Sequence, residues 1–291
     1  MAGGKKPGTL HLVATPIGNL EDISLRALRA LKDCQLIAAE DTRRTRKLLS
    51  HYGISRPLVS YYEHNEQERI PALLEALREG RDVALVSDAG SPGISDPGFR
   101  LVREAVDQGM PVTALPGPSA VILALSVSGL PTDRFSFFGF LPRGGSERKR
   151  LLEEAGQTPH TLVFFESPHR IVRTLEEMHD LLGDRRAAVC RELTKRFEQV
   201  ERGLLSELIE KARSRSSKGE FCIVLEGRGR KAIQAGEKEN RLEKALEDLK
   251  EHGNEPLREA ARRVARKHGL SRREVYQLGL REKGDSSGKK G

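Results

Sequence analysis

From residue 9 to residue 128 short β-prone runs alternate with helical stretches, and that rhythm restricts the possible folds more than any other feature. The β-prone runs stand at residues 9–14, 35–39, 57–61, 82–87 and 112–115. Ser24 is placed to cap a helix whose Leu25, Leu28 and Leu31 share one face. Residues 42–51 read as a basic helix stopped by Gly53; residues 66–79 and the stretch up to Gln108 read as two more. Strands separated by helices at this spacing form a mostly parallel sheet covered on both faces. A small-residue helix at 119–128 closes this half.

The second half opens with an aromatic strand, 135–140, leading into Pro142-Arg143-Gly144-Gly145-Ser146, which reads as a flexible basic loop. Strand-like runs follow at 161–166, 187–191, 197–202 and 220–226, with helices at 170–182 and 204–213. Residues 227–240 are polar and read as a linker; three helical stretches come next, and residues 283–291 read as a disordered tail. The expected organisation is an N-terminal α/β domain at 1–130, a second α/β domain at 131–230 and a C-terminal helical domain at 241–283.

A chain of 291 residues with 37% hydrophobic and 32% charged residues has enough apolar material for two cores. Trp is absent and aromatics are few, so those cores must be aliphatic. The longest apolar run, 121–130, is half of the roughly 20 residues a membrane span needs. Lys5 and Lys6 make the start basic, but Pro16 cuts its short apolar stretch, a poor secretory signal. Cys34, Cys190 and Cys222 are far apart and odd in number, which points to a reduced, cytoplasmic compartment without structural zinc. The net charge of +8 gathers at Arg43 to Lys47, Arg143 to Arg150 and Arg258 to Arg273, which suits a polyanionic partner.

Two loops carry the chemistry. Asp88-Ala89-Gly90-Ser91-Pro92-Gly93-Ile94-Ser95-Asp96-Pro97-Gly98 follows a buried strand and precedes a helix, the position where open α/β sheets bind ligands. Leu115-Pro116-Gly117-Pro118-Ser119-Ala120 repeats the arrangement, with Ser119 placed to cap the next helix. Glycine admits close backbone approach and proline holds the loop in shape. Taken singly each loop is equally well a tight turn. No Gly-x-Gly-x-x-Gly follows the first strand, and there is no Walker loop, no zinc spacing among the eight histidines and no Gly-x-Ser-x-Gly elbow. What remains is a cofactor held without metal or phosphate.

Five ordered motifs carry a resemblance: Thr15-Pro16-Ile17-Gly18-Asn19-Leu20-Glu21-Asp22, Ala39-Glu40-Asp41-Thr42-Arg43, residues 87–98, Leu115-Pro116-Gly117-Pro118-Ser119-Ala120, and Phe164-Phe165-Glu166-Ser167-Pro168-His169-Arg170. With them the chain resembles the small-subunit ribosomal RNA methyltransferases of the tetrapyrrole methylase superfamily. The resemblance implies two α/β domains with a cofactor cleft between them, a helix-turn-helix-like C-terminal domain and a homodimer. It implies S-adenosylmethionine-dependent 2′-O-methylation of a cytidine in the decoding centre of 16S rRNA. By the same resemblance Pro16, Gly90, Ser91, Gly93, Ile94, Ser119 and Ala120 contact the cofactor from one side, and Phe165, Glu166 and Leu193 from the other. The chain departs from the tetrapyrrole-modifying relatives at Pro16-Ile17-Gly18-Asn19 and Gly90-Ser91-Pro92, where they have Gly-x-Gly-x-Gly-Asp and Gly-Asp-Pro. Those departures count against a porphyrinoid substrate.

A ribose hydroxyl is a poor nucleophile until it loses its proton, so a base or a nearby cation should assist. Asp41, Glu166 and Lys195 are the catalytic candidates; a helix cap or a surface ion pair is the plain alternative for each. Arg43, Arg44 and Arg46 suit phosphate oxygens, and Tyr61-Tyr62-Glu63-His64-Asn65 either stacks on an unpaired base or packs on the core. Arg143, Arg148, Lys149 and Arg150 are expected on a mobile RNA-gripping loop. In the tail a basic helix at 256–268, the Gly269 turn and a Ser271 cap have the spacing of a helix-turn-helix, or of a plain helical hairpin. Two other functions compete: a methylase of a small tetrapyrrole-like substrate, and a non-catalytic RNA-binding ribosome assembly factor.

Overall fold

The computed structural model describes residues 6–214, 218–251 and 255–287. Lys5 and residues 288–291 of the expected tail lie outside them. Two compact units divide the chain, Met1–Glu226 and Gly227–Gly291.

The first unit begins with a five-stranded sheet. Its strands are β1 (Leu10–Val13), β2 (Leu36–Ala39), β3 (Leu58–Ser60), β4 (Val83–Val86) and β5 (Val112–Leu115), all parallel, in the order β3-β2-β4-β1-β5. Helices α1 (Leu25–Asp33), α2 (Thr42–His51), α3 (Glu66–Arg78) and α4 (Phe99–Asp107) connect them. The strand residues sort by parity, as a period of two requires. Ile37, Ala39, Ala84 and Val86 pack with α1 and α2 residues such as Leu31 and Leu48. Ala38, Val83 and Leu85 pack on the other face with Ile70, Leu77 and Leu101. Both faces are therefore covered. Ser24 caps α1 by accepting from the Ala27 N–H at 3.1 Å.

Helix α5 (Ala120–Ser128) joins the halves, and its Val121, Ala124 and Leu125 pack on the second sheet. That sheet contains β6 (Phe135–Phe140), β7 (Thr161–Glu166), β8 (Arg186–Arg191), β9 (Gln199–Leu204) and β10 (Phe221–Leu225), in the order β6-β7-β10-β8-β9. It is mixed: β6 and β7 are parallel, and the other pairs are antiparallel. Its opposite face is covered by α6 (Gly145–Gly156), α7 (Ile171–Leu182) and α8 (Leu205–Arg213).

Helix α6 corrects the flexible-loop expectation. The glycines at 144 and 145 only start the helix, and Arg148, expected on an RNA-gripping loop, is 3% exposed. Its guanidinium donates to Glu177 and, at 2.5 Å, to the Thr174 hydroxyl, and lies 3.6 Å from Glu166. The Thr174 hydroxyl is 2.6 Å from Glu166 Oε2, and Arg170 Nε is 3.2 Å from Oε1. Burial satisfied by ion pairs thus took the arginine that charge clustering assigned to the surface.

The second unit has helices α9 (Arg230–Glu251), α10 (Leu257–His268) and α11 (Arg272–Ser287). Helix α9 replaces most of the expected linker, and α11 continues to Ser287 through residues expected to be disordered. Ala245, Leu249, Ala261, Val264 and Val275 form its small core. Gly269 ends α10 with φ 62°, and Ser271 and Glu274 cap α11 reciprocally at 3.2 Å. Among the described residues no helix is long and apolar enough to cross a membrane.

Removing one partner from a buried ion pair leaves an uncompensated charge, so Arg148→Met should lower unfolding free energy by about 3 kcal/mol. The exposed neighbour serves as control: Arg150→Ala should change it by less than about 0.5 kcal/mol. Urea denaturation of both variants measures the difference.

Candidate active site

Strands β1, β4 and β5 are neighbours in register, with Val13 opposite both Val86 and Leu115. The chain therefore leaves the sheet side by side at residues 14, 87 and 116, which converts three distant motifs into one surface. Thr15 and Gly90 exchange both main-chain hydrogen bonds, each 2.9 Å long, and the Thr15 hydroxyl donates to the Ser87 carbonyl at 3.0 Å. Gly90 accepts this geometry with φ 79°, a region costly to side-chain-bearing residues. A side chain on Gly117 would place its Cβ 2.8 Å from that of Ala14, so the third loop also needs glycine.

The second half supplies the facing wall. Strands β6 and β7 lose register between Phe137 and Phe140, where Gly139 takes φ 62°. Such an irregularity re-aims a side chain. Here Phe140 stays 57% exposed and meets Phe165 at a ring distance of 5.5 Å. Glu192 and Thr194, on either side of Leu193, both hold positive φ, at 52° and 65°. Strain of this kind costs about 1–3 kcal/mol per residue and gathers at functional sites. Gly18 from the first loop fits against this turn; a Cβ there would fall 2.4 Å from Cγ of Lys195.

Between these walls lies a cavity of about 400 Å³, within the size range of small-molecule sites. Of the residues singled out in the sequence, Gly90, Ser91, Ile94, Ser119, Ala120, Phe165, Glu166 and Leu193 line it. Ser119 occupies the N-cap of α5 without the side-chain cap bond expected of it. Pro16 lines a separate, smaller cavity. Gly93 holds the loop's own turn, with its N–H 3.2 Å from the Pro97 carbonyl.

The three catalytic candidates sit differently. Asp41 caps α2, accepting from the Arg43 N–H at 2.8 Å and pairing with the Arg43 guanidinium at 2.9 Å. The Arg43 hydrogen bonds hold its pKa down at about 2, so it is a weak proton acceptor. Glu166 lines the cavity, but its carboxylate is buried among Arg148, Arg170 and Thr174. Lys195 lies outside the lining and donates to Glu192 at 2.8 Å and Glu220 at 3.0 Å. Partial burial favours its neutral form, but the two carboxylates outweigh this and hold the ammonium above its ordinary pKa. Tyr61 is core, its hydroxyl donating to Glu66 at 3.0 Å, while Tyr62 remains 42% exposed.

An acidic group that the motif reading passed over also faces the cavity. Glu40, Asp88 and Asp96 line it together with Arg44. Asp88 is tied down: it accepts from the Asp41 N–H at 3.0 Å and pairs with Arg44 at 3.2 Å, while Glu40 accepts from the Asp88 N–H at 3.1 Å. Burial pushes Asp96 up to about 6, helped by the nearby Glu40 and Asp88 charges and opposed by a Ser87 hydrogen bond. Burial likewise raises Glu40. Asp96 stood within a quoted motif, but only its burial beside other carboxylates distinguishes it. Among the described residues no group of three His, Cys, Asp or Glu side chains is arranged to hold a metal.

The family described as Tetrapyrrole (Corrin/Porphyrin) Methylases matches residues 9–209, and the RsmI C-terminal HTH domain matches residues 236–283. The chain is 47% identical over 277 residues to the ribosomal RNA small subunit methyltransferase I of Halalkalibacterium halodurans, covering 93% of this chain and 94% of the relative. It is 48% identical over 221 residues to the protein of that name from Thermotoga maritima, covering 76% of this chain and 99% of the relative. In fold it is similar to the uroporphyrin-III C-methyl transferase from Thermus thermophilus complexed with S-adenyl homocysteine. That match has a TM-score of 0.54 at 23% identity, over 78% of this chain and 100% of that one. With the cleft, its glycine-dependent loops and these matches in hand, the chain belongs to the ribosomal RNA small subunit methyltransferase I family of the tetrapyrrole methylases.

Proposed function

We propose that the chain transfers a methyl group from S-adenosylmethionine to small-subunit ribosomal RNA, at the 2′-hydroxyl of a cytidine in the decoding centre. The observation that carries this reading is the cavity itself, in which main-chain loops of one half face Phe140, Phe165 and Leu193 of the other. The residues fit the cofactor: the apolar wall suits a nucleoside, and the carboxylates of Glu40, Asp88 and Asp96 suit a cation. When bound, the cofactor supplies a methyl group already activated on a sulfonium.

The protein then has to orient the acceptor and take its proton. Gly90, Ser91, Ile94, Ser119, Ala120, Phe165 and Leu193 hold the cofactor, with Ile17 and Phe140 added by the structure. Pro16 and Gly93 shape the loops around it. Asp96 accepts the hydroxyl proton, since its pKa of about 6 leaves it ionised at neutral pH yet more basic than an ordinary carboxylate. Asp41, Glu166 and Lys195 act through position: Asp41 sets the start of α2, Glu166 anchors the end of β7, and Lys195 braces the strained turn around Leu193.

RNA meets the exposed basic face of α2, where Arg43 and Arg44 are 84% and 65% exposed, with Arg46 and Lys47 beside them. Arg262, Arg272 and Arg273 offer a second basic surface on the C-terminal unit. A small tetrapyrrole-like acceptor would use neither surface. On this reading, residues 1–130 carry the acceptor-side loops, 131–230 close over the cofactor, and 241–283 add RNA affinity. The protein works as a homodimer in the cytoplasm.

Calorimetry should detect S-adenosylmethionine binding, and Ala120→Phe, which fills the cavity, should weaken it at least tenfold, about 1.4 kcal/mol. With small ribosomal subunits and labelled cofactor, methyl label should map to one ribose; subunit binding without label would favour the assembly-factor reading. A base works in its ionised form, so kcat/KM for subunits should rise about tenfold per pH unit below 6 and level off above it. Asp96→Asn should abolish that dependence, while calorimetry still detects cofactor binding. Subunit affinity should fall by at least about tenfold between 50 and 200 mM salt, because phosphate contacts release counterions.

A further inference from the structure

The smaller cavity is a separate feature with its own chemistry. It measures about 210 Å³ and opens between the first loop and α2. Pro16, Leu20 and Leu48 form its apolar sides, and Thr45 and Lys47 stand on the α2 side. Arg44 and Asp88 line this cavity and the larger one alike, and they are ion-paired at 3.2 Å. Asp88 cannot swing freely, because the Asp41 N–H and Arg44 hold its two oxygens.

We propose that this second cavity takes the nucleobase of the acceptor nucleotide, an unstacked pyrimidine. The inference rests on the ribose-methyltransferase reading. A 2′-hydroxyl brought to the larger cavity carries its base on the adjacent sugar carbon, so the base must lodge within one sugar's width of the reacting oxygen. A stacked base could not come so close to a recessed site; enzymes acting on such positions take the nucleotide out of the stack. The smaller cavity adjoins the larger one, since Arg44 and Asp88 line both. Its apolar sides suit the faces of a flat ring, and its volume of about 210 Å³ has room for one base. The polar edge also matches: a carboxylate such as Asp88 accepts from a cytosine amino group, while Arg44 and Lys47 donate to ring nitrogen and carbonyl acceptors. The surrounding surface is cationic, with Arg43 and Arg46 exposed beside the mouth, as the flanking phosphates require.

Leu20→Trp tests this without touching the larger cavity. Leu20 is 39% exposed, and the hydrogen bonds it receives, from the Tyr52 hydroxyl at 2.5 Å and the Ile23 N–H at 3.3 Å, go to its main-chain oxygen. The variant should bind S-adenosylmethionine as the parent does but methylate small subunits about 100-fold more slowly, because the ribose can no longer seat. In saturation-transfer NMR, cytidine 5′-monophosphate should show contact at its ring protons with the parent protein and lose it with Leu20→Trp; adenosine 5′-monophosphate should show none with either. Methylation by Leu20→Trp within about twofold of the parent, or unchanged cytidine contacts, overturns the proposal. A parent protein that neither binds the cofactor nor labels subunits overturns the methyltransferase reading instead, and the nucleotide contacts still decide what the second cavity holds.

Discussion

The reciprocal hydrogen bonds between Thr15 and Gly90 hold the loop after β1 against the loop after β4. Without them each loop is an independent turn; with them, and with the Thr15 hydroxyl on the Ser87 carbonyl, the two become one rigid floor. The bond pair is possible because the parallel register puts residues 14 and 87 level and because Gly90 tolerates φ 79°. The second loop's share of the larger cavity hangs from this floor, including Ser91, Ile94 and Asp96. A main-chain clamp of this kind positions a ligand without spending side chains on it, which leaves the side chains for charge and shape.

The facing wall is built by a different device. Glu166 ends β7 as a fully buried carboxylate, and the arginines around it link that strand end to α6 and α7. The neighbouring Phe165 is thereby fixed where its ring meets Phe137 and Phe140. Shifting one half against the other would disturb the strained turn at residues 192–194, the close fit of Gly18 against it and the packing of α5 on the second sheet. Rigidity on both sides suits a reaction whose donor is already activated, where holding the acceptor in line supplies much of the rate enhancement.

Charge within the cleft is distributed unevenly. The first half contributes three carboxylates with a single guanidinium among them, while the second half contributes mostly aromatic and aliphatic side chains beside Glu166 and Glu220. Burial raises the pKa of Asp96, and the nearby Glu40 and Asp88 charges add to the rise. The arginine that prevents the group from being wholly repulsive, Arg44, also lines both cavities.

Much of this was written in residue order alone. Alternating short apolar runs and helices specified an α/β architecture, because strand and helix periods are local properties that survive without tertiary context. The Gly-Pro loops marked one wall of the larger cavity for the same reason: φ preferences belong to single residues. Charge clustering was the poorer guide. Arg148 carried the same sequence signal as Arg150, yet one is buried against Glu166 and the other is exposed. Asp41 and Lys195 had the residue types of a base and a cation, but their neighbours Arg43, Glu192 and Glu220 claim them. Conversely, Asp96 became distinctive only when folding brought Glu40 and Asp88 beside it and withdrew water. Proton affinity and burial depend on partners tens of residues away in the chain, so they were settled by packing, as were the helices α6 and α9 where a loop and a linker were expected, whereas the strand and helix rhythm of residues 9–128 was already settled by the local sequence.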